Sequence, residues 1–336
     1  MEKIKAAVIG LGRIGSLLEE DSLREKPCTH TGAIAANSDC ILAAGCDIDE
    51  ERRRQYSEKW KVPVYADAAE MIRIHCPQIV VVATHPDSHY FYCRLASQAG
   101  VPLVICEKPL SDTLSQARKI ARLAKKGLLI IINHERRYSS DYLQARNILG
   151  ASPENPEGGR LGRLLSVRAN LYMGITRRLV DVFWHDGTHL ADAIMFLTGM
   201  VLKHKRRWGA ELNARTGTAW LEGELNGERH SPIPVIMEIG AGRDHLVFEM
   251  EFSCEKGRLR IGNGIFEIWE SVPSPYAEKF RSLKRSDDIF EGPTCYFANM
   301  LKDAVDCILQ PDRQPCSGAK EGLQVIKYLN SVKAWR

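Results

Sequence analysis

The sequence predicts an α/β protein of two domains. Residues 1–133 form a doubly wound parallel sheet, and residues 134–336 form an α+β domain with a large, mostly antiparallel, open-faced sheet. Three observations predict this. Uniformly apolar runs alternate with helix-like segments through the first 133 residues. Beyond about His134 the pattern becomes apolar–polar alternation broken by turn signals. The 336 residues also exceed what one ordinary core organises.

The elements follow in order. IKAAVI (4–9) reads as a strand that runs straight into GLGRIG, and the segment after it is helix-compatible up to the polar interruption EEDSLREKPCTHTG. ILAAGCD (41–47) is a second strand and ERRRQYSEKW a helix; QIVVVAT (78–84) is a third strand and HYFYCRLASQAG a helix stopped by glycine. PLVICEK (102–108), LSQARKIARLAKKG and LLIIINH (128–134) continue the period. Strands apolar on every residue are buried on both faces, which requires a parallel sheet covered by helices.

The second half opens with an amphipathic helix, HERRYSSDYLQARNILG, and a loop, PENPEGGRLG. A strand LLSVRANLYM comes next, then a helix containing LADAIMFLTG. KRRWGAELN, TAWLEGELNG, IPVIMEIGA, HLVFEMEFSC, GRLRIGN and IFEIWES read as antiparallel strands with one covered face. The helices TCYFANMLKDAVDCILQ and AKEGLQVIKYLNSVKAW close the chain.

Composition bounds the function. The chain is 44% hydrophobic and 26% charged, and no segment nears the roughly 18 uninterrupted apolar residues of a membrane helix. The N-terminus has too short an apolar run for a signal peptide, so a cytoplasmic location is expected. Ten cysteines lie singly in apolar stretches without CxxC pairs, as thiols of a reducing compartment do. The net charge of +4 is dispersed over short clusters at Glu51–Arg54, Arg136–Arg137, Arg177–Arg178 and Lys203–Arg207, which argues against nucleic acid.

Gly10-Leu11-Gly12-Arg13-Ile14-Gly15 gains meaning from following a strand and opening a helix, the context of a Rossmann dinucleotide site. Gly10 permits the tight turn, Gly12 the approach of a pyrophosphate and Gly15 close packing of helix on strand, while the helix start presents amides to the anion. Asp47 ends the second strand, where a carboxylate bonds ribose hydroxyls and repels a 2′-phosphate, so NAD is expected in preference to NADP. Asp47 lies 32 residues after Gly15 instead of about 20. An insertion of roughly a dozen residues, about Glu19 to Thr31, is therefore expected as a loop near the cofactor.

Five segments, GLGRIG, AAGCDIDEER, VVVATHPDSH, ICEKPL and WHDGTHLADAIMFLTG, together resemble the glucose–fructose oxidoreductase / inositol dehydrogenase / MocA family over nearly the whole chain. The resemblance implies an NAD(P)-dependent enzyme acting on sugars, polyols and their derivatives, with a homodimer or homotetramer formed through the C-terminal sheet. It implies that Lys108 of EKP lies beside the nicotinamide and hydrogen-bonds the reacting hydroxyl, with Glu107 shaping the loop and contacting the ribose. A lysine at the C-terminal edge of a parallel sheet also suits stabilisation of alkoxide character on general grounds. Thr84, His85, Pro86 and His89 are expected to contact the cofactor, with a core or capping histidine as the alternative for His89.

In WHDGTHLAD the resemblance places the acid–base on His189, with Gly187 and Asp192 in register; histidine exchanges a proton near neutral pH. His185 stands where many members carry aspartate and, with Asp186, is a candidate substrate contact. A zinc site on His185 and His189 is disfavoured because Gly187-Thr188 interrupts the helical pattern and no third ligand stands out. Arg136 and Arg137, after an apolar strand, together with Arg177 and Arg178, suggest a carboxylate or phosphate on the substrate or cofactor. The leading reading is an NAD-dependent dehydrogenase of a carbohydrate or polyol hydroxyl. A redox-assisted glycosidase and a non-catalytic NAD-binding regulator are the alternatives.

Overall fold

The computed structural model describes residues 2–150, 158–174, 177–227 and 231–334, and the chain divides into two compact units. The first comprises residues 1–139 and 293–326, the second 140–292 and 327–336.

In the first unit β1 (Ile4–Ile9), α1 (His30–Ala36), β2 (Cys40–Cys46), α2 (Glu50–Trp60), β3 (Val64–Tyr65) and α3 (Ala68–His75) are followed by β4 (Ile79–Val82) and α4 (His89–Gln98). Then come β5 (Leu103–Cys106), α5 (Leu114–Ala124) and β6 (Leu129–Ile132). The sheet order is β3-β2-β1-β4-β5-β6 and every pair is parallel. The chain thus reverses direction across the sheet between β1 and β4, leaving a crevice at the strands' C-terminal ends. β4 and β5 are buried on every residue, as an all-apolar sequence requires when helices cover both faces. Side-chain caps start the helices: Thr29, Asp49, Asp67 and Thr113 each accept an amide of the first turn of α1, α2, α3 and α5. β3 and α3, in the stretch KVPVYADAAEMIRIHC, were not foreseen; the strand is two residues long and leaves no period to read.

In the second unit come α6 (Ser140–Leu149), β7 (Leu164–Met173), α7 (Leu179–His185), α8 (Gly187–Thr198), β8 (Val201–Gly209) and β9 (Gly217–Asn226). β10 (Ile233–Ala241), β11 (Val247–Cys254), β12 (Gly257–Gly262), β13 (Ile265–Pro273) and β14 (Arg281–Arg285) follow. They form one eight-stranded sheet, β14-β13-β12-β11-β7-β10-β9-β8, antiparallel except for β7 with β10. Burial alternates along β9 and β11, so one face is covered, and α7 and α8 pack against it. The other face carries a charge ladder in which Arg258 pairs with Glu251 at 3.1 Å and Arg260 with Glu249 at 3.0 Å and Glu267 at 3.1 Å. The helix expected from His134 starts only at Ser140, because residues 135–137 make a 3-10 turn. The first part of the expected PENPEGGRLG loop, residues 153–157, lies outside the described residues.

The last two helices are α9 (Tyr296–Leu309) and α10 (Ala319–Ala334). The expected boundary, everything from residue 134 in one domain, is corrected here: α9 and the first half of α10 belong to the first unit. α9 buries Phe297, Met300, Leu301 and Ala304 in the same core as Val8, Ile79, Val81, Leu103 and Ile105. Buried Asp303 of α9 accepts hydrogen bonds from the Tyr138 hydroxyl (3.0 Å) and the Cys316 amide (2.9 Å). Sequence order hid this, since the return crosses a whole intervening domain.

Phe297→Ala should therefore destabilise the protein by about 3–5 kcal/mol in denaturant titration, while Phe280→Ala, at a side chain 70% exposed, should stay within about 0.5 kcal/mol. Equal effects would contradict the assignment of α9 to this core.

Candidate active site

The glycine loop leaves β1 at Gly10, whose φ of +93° suits glycine and whose position abuts β4: a Cβ there would lie 2.5 Å from the Ala83 carbonyl oxygen. At Gly15 a Cβ would fall 2.0 Å from the Gly10 carbonyl oxygen, so turn and strand pack through bare backbone. Gly12 differs. Its Cβ would meet only the Arg52 guanidinium, at 3.7 Å, leaving open space where a pyrophosphate approaches.

The helix expected from this loop is corrected by the structure. After the Gly12 carbonyl accepts from Ser16 and Leu17, the chain tightens into a 3-10 turn, Leu17–Glu20, and leaves the helical path. The carbonyls of Ile14 and Gly15, whose helical partners would be the amides of Leu18 and Glu19, instead accept from His30 (3.1 Å) and Thr31 (3.1 Å). α1 thus resumes the interrupted helix twelve positions late, the length of the excess between Gly15 and Asp47. The Thr31 hydroxyl bonds the Gly15 carbonyl as well, at 2.6 Å. The loop let into the helix is tied to its surroundings. Glu19 accepts from the Cys28 amide and the Thr29 hydroxyl, Lys26 donates to the carbonyls of Leu18 and Asp21, and Glu25 accepts from the amides of Thr294 and Cys295.

Asp47 is buried at the end of β2, and its carboxylate accepts the amides of Leu11 (2.8 Å) and Asp49 (3.0 Å). Those two bonds aim it at the glycine loop and leave lone pairs for ribose hydroxyls. Arg52, which sequence reasoning missed, stands half-exposed with its guanidinium 3.7 Å from the Asp47 carboxylate. Its signal was an arginine in the first turn of the helix that follows the acidic residue.

After β4, Thr84 and Pro86 are half-buried and His85 is exposed, positions open to a cofactor. His89 is not. It is wholly buried, with ring nitrogens 3.1 Å from the Thr84 carbonyl and 3.3 Å from the Leu110 carbonyl, and burial lowers its pKa. The expected cofactor contact at His89 is withdrawn, because the first turn of α4 points this side chain inward to brace the loop after β5.

That loop holds EKP. Lys108 is half-buried just beyond β5, at the same C-terminal sheet edge as the glycine loop. Glu107 turns inward: one oxygen takes the His30 ring at 2.7 Å and the Asn133 amide at 2.5 Å, the other the Lys108 amide at 3.2 Å. Burial pushes the Glu107 carboxyl up, but the His30 and Asn133 hydrogen bonds and the Lys108 charge outweigh it and hold it below the usual carboxylate range. The carboxylate is engaged by the protein's own donors, so its role is better described as support of the loop than as the expected ribose contact. His30 and Asn133 were missed; the interrupted helix hid the first.

Each of the four arginines has an acceptor within the protein. Arg137 is buried and donates to the Cys316 carbonyl at 3.2 Å, and Arg136, largely buried, pairs with Glu135 at 3.0 Å. Arg177 pairs with Asp186 at 2.9 Å, and Arg178 makes two bonds to Asp181 at 2.8 and 2.9 Å. Each is matched by a protein acceptor, which removes the support they gave to an acidic substrate.

In the second unit the helix containing WHDGTHLAD breaks at Asp186, one residue before the expected Gly187-Thr188. His185 ends α7 exposed, while His189, half-buried, lies in the first turn of α8 with its amide bonded to the Asp186 carbonyl at 3.1 Å. The Thr188 hydroxyl closes the break onto the His185 carbonyl at 2.7 Å, and Asp192 is buried one turn on. A Cβ at Gly187 would come within 3.0 Å of the Phe183 ring, so the residue between the two histidines is small because α7 packs there.

A parallel sheet with a glycine loop and an acidic residue at the crevice is the arrangement of a dinucleotide-binding domain, and the comparisons agree. Residues 4–134 match the model of an oxidoreductase family with an NAD-binding Rossmann fold. Over these residues the chain is similar to the glucose–fructose oxidoreductase / inositol dehydrogenase / MocA family. It is 30% identical over 161 residues to the uncharacterised oxidoreductase YhhX of Escherichia coli, 44% of each chain. It is 27% identical over 177 residues to inositol 2-dehydrogenase of Salmonella typhimurium, 52% of this chain and 47% of that protein. The chain thus matches about half the length of these curated relatives. The fold is similar over 99% of this chain to the WlbA dehydrogenase of Bordetella pertussis, solved with NADH and UDP-GlcNAcA, with a TM-score of 0.72 at 19% identity and 96% of that chain covered. No helix among the described residues is long and apolar enough to cross a membrane.

Gly12→Ala should leave the melting temperature within about 1 °C of wild type while weakening NADH binding at least about tenfold by fluorescence titration; Gly15→Ala should lower the melting temperature by several degrees. Unchanged NADH affinity in Gly12→Ala would contradict the pyrophosphate placement.

Proposed function

We propose that the protein transfers a hydride between a secondary hydroxyl of a neutral sugar or polyol and the nicotinamide of NAD. Lys108 carries the reading: a half-buried cation one residue past the Glu107 carboxylate, at the sheet edge that also bears the glycine loop. When bound, NAD supplies the hydride acceptor. On the protein side, His189 takes the hydroxyl proton and the Lys108 ammonium donates a hydrogen bond to the oxygen as negative charge grows on it. His185, exposed beside the break at Asp186, is the residue we assign to bond a second substrate oxygen. Asp47 favours NAD over NADP, since a buried carboxylate at the end of β2 repels a 2′-phosphate. The charged open face of the second unit's sheet, with Arg258, Arg260 and their glutamates, is proposed to pair with a second copy.

The test is turnover of NAD, read at 340 nm, with myo-inositol, D-glucose, D-xylose and D-galacturonate. A neutral member should reduce NAD, and Lys108→Ala and His189→Ala should each lower kcat/KM by at least about 10²-fold. Unchanged turnover in both variants would defeat the assignment. Cleavage of a glycoside without net NADH would favour the redox-assisted glycosidase instead.

A further inference from the structure

We propose that His30 is a positioning residue for Lys108: it holds the Glu107 carboxylate inward, and that carboxylate fixes the backbone from which Lys108 projects. The inference rests on the reading of Lys108 as the cation of a hydride-transfer site.

His30 is 2% exposed and Glu107 6%, and their 2.7 Å contact joins α1 to the loop after β5. The imidazole is fixed on two further sides. Its own amide is bonded to Ile14 in the glycine turn, and its ring stands edge-on to Phe297 at 5.1 Å between centroids. A buried carboxylate without partners is costly. Glu107 avoids that cost only by taking the donors of His30 and Asn133, and it spends its second oxygen on the Lys108 amide. One chain of contacts thus runs from the carbonyl of Ile14, at the pyrophosphate loop, through His30 and Glu107 to the backbone of Lys108. Glycine loop and lysine are registered to each other through a histidine that is buried among protein groups.

Two variants of similar size separate this role from packing. His30→Gln keeps a donor for Glu107; His30→Leu keeps an apolar contact for Phe297 and loses the donor. Hydrogen exchange of the peptide spanning residues 106–112 needs no substrate. The Lys108 amide should lose protection in His30→Leu and keep it in His30→Gln. His30→Leu should also lower the melting temperature by several degrees, and by much less when Glu107→Gln is already present. With the best neutral substrate of the turnover panel, His30→Leu should lower kcat roughly 10- to 100-fold with KM and NADH affinity within about threefold, and His30→Gln should restore most of it.

Leucine tolerated better than glutamine, or an equal melting cost in both Glu107 backgrounds, would overturn the proposal. A wild type that turns over none of the panel, yet shows the exchange and melting results, would refute the functional reading and leave the His30–Glu107–Lys108 linkage standing.

Discussion

The site depends on two backbone hydrogen bonds, from His30 to Ile14 and from Thr31 to Gly15. A Rossmann first helix must begin at the glycine loop and lie on the sheet, yet this chain leaves that helix after one turn. The two bonds let it return in register, so the carbonyls that a continuous helix would have satisfied are satisfied by residues twelve positions later. Had the return slipped by one residue, His30 would have rotated about 100° away from Glu107 and the Thr31 hydroxyl away from Gly15. The loop itself is held by its own carboxylates and by Lys26.

The electrostatics behind Lys108 follow from that register. Glu107 is a carboxylate almost without solvent, which burial alone would neutralise. His30 and Asn133 donate to it, and it remains ionised next to the lysine. The negative charge is therefore held inward, one residue before the half-buried lysine. His89, from α4, braces the far end of the same loop at Leu110. The EKP turn is thereby gripped from α1 and from α4, with both imidazoles buried and both engaged.

Much of this was legible in the residues. The five apolar strands of the first sheet, the strands β7 and β9 to β13, the glycine turn and Asp47 were all readable, because period and turn chemistry are local properties. What failed was non-local. Nothing near TCYFANMLKDAVDCILQ says that Phe297 packs beneath β1, β4 and β5 after an intervening domain. Arg137 and His89 look like site residues on a sequence line, and only burial shows them bonded to Cys316 and to Thr84 and Leu110. β3 and β14 are too short, or too polar, to carry a pattern. The insertion itself was visible from the spacing to Asp47, but its point of return, and hence His30, was not.

The central claim is that the inserted segment leaves the nucleotide-binding frame undisturbed because the helix resumes in register. It is tested most directly by excising residues 18–29, joining Leu17 to His30, and titrating NADH by fluorescence. The account predicts a folded protein with NADH affinity within about threefold of wild type and a small gain in helical circular dichroism. Loss of NADH binding in a folded excision variant would contradict it.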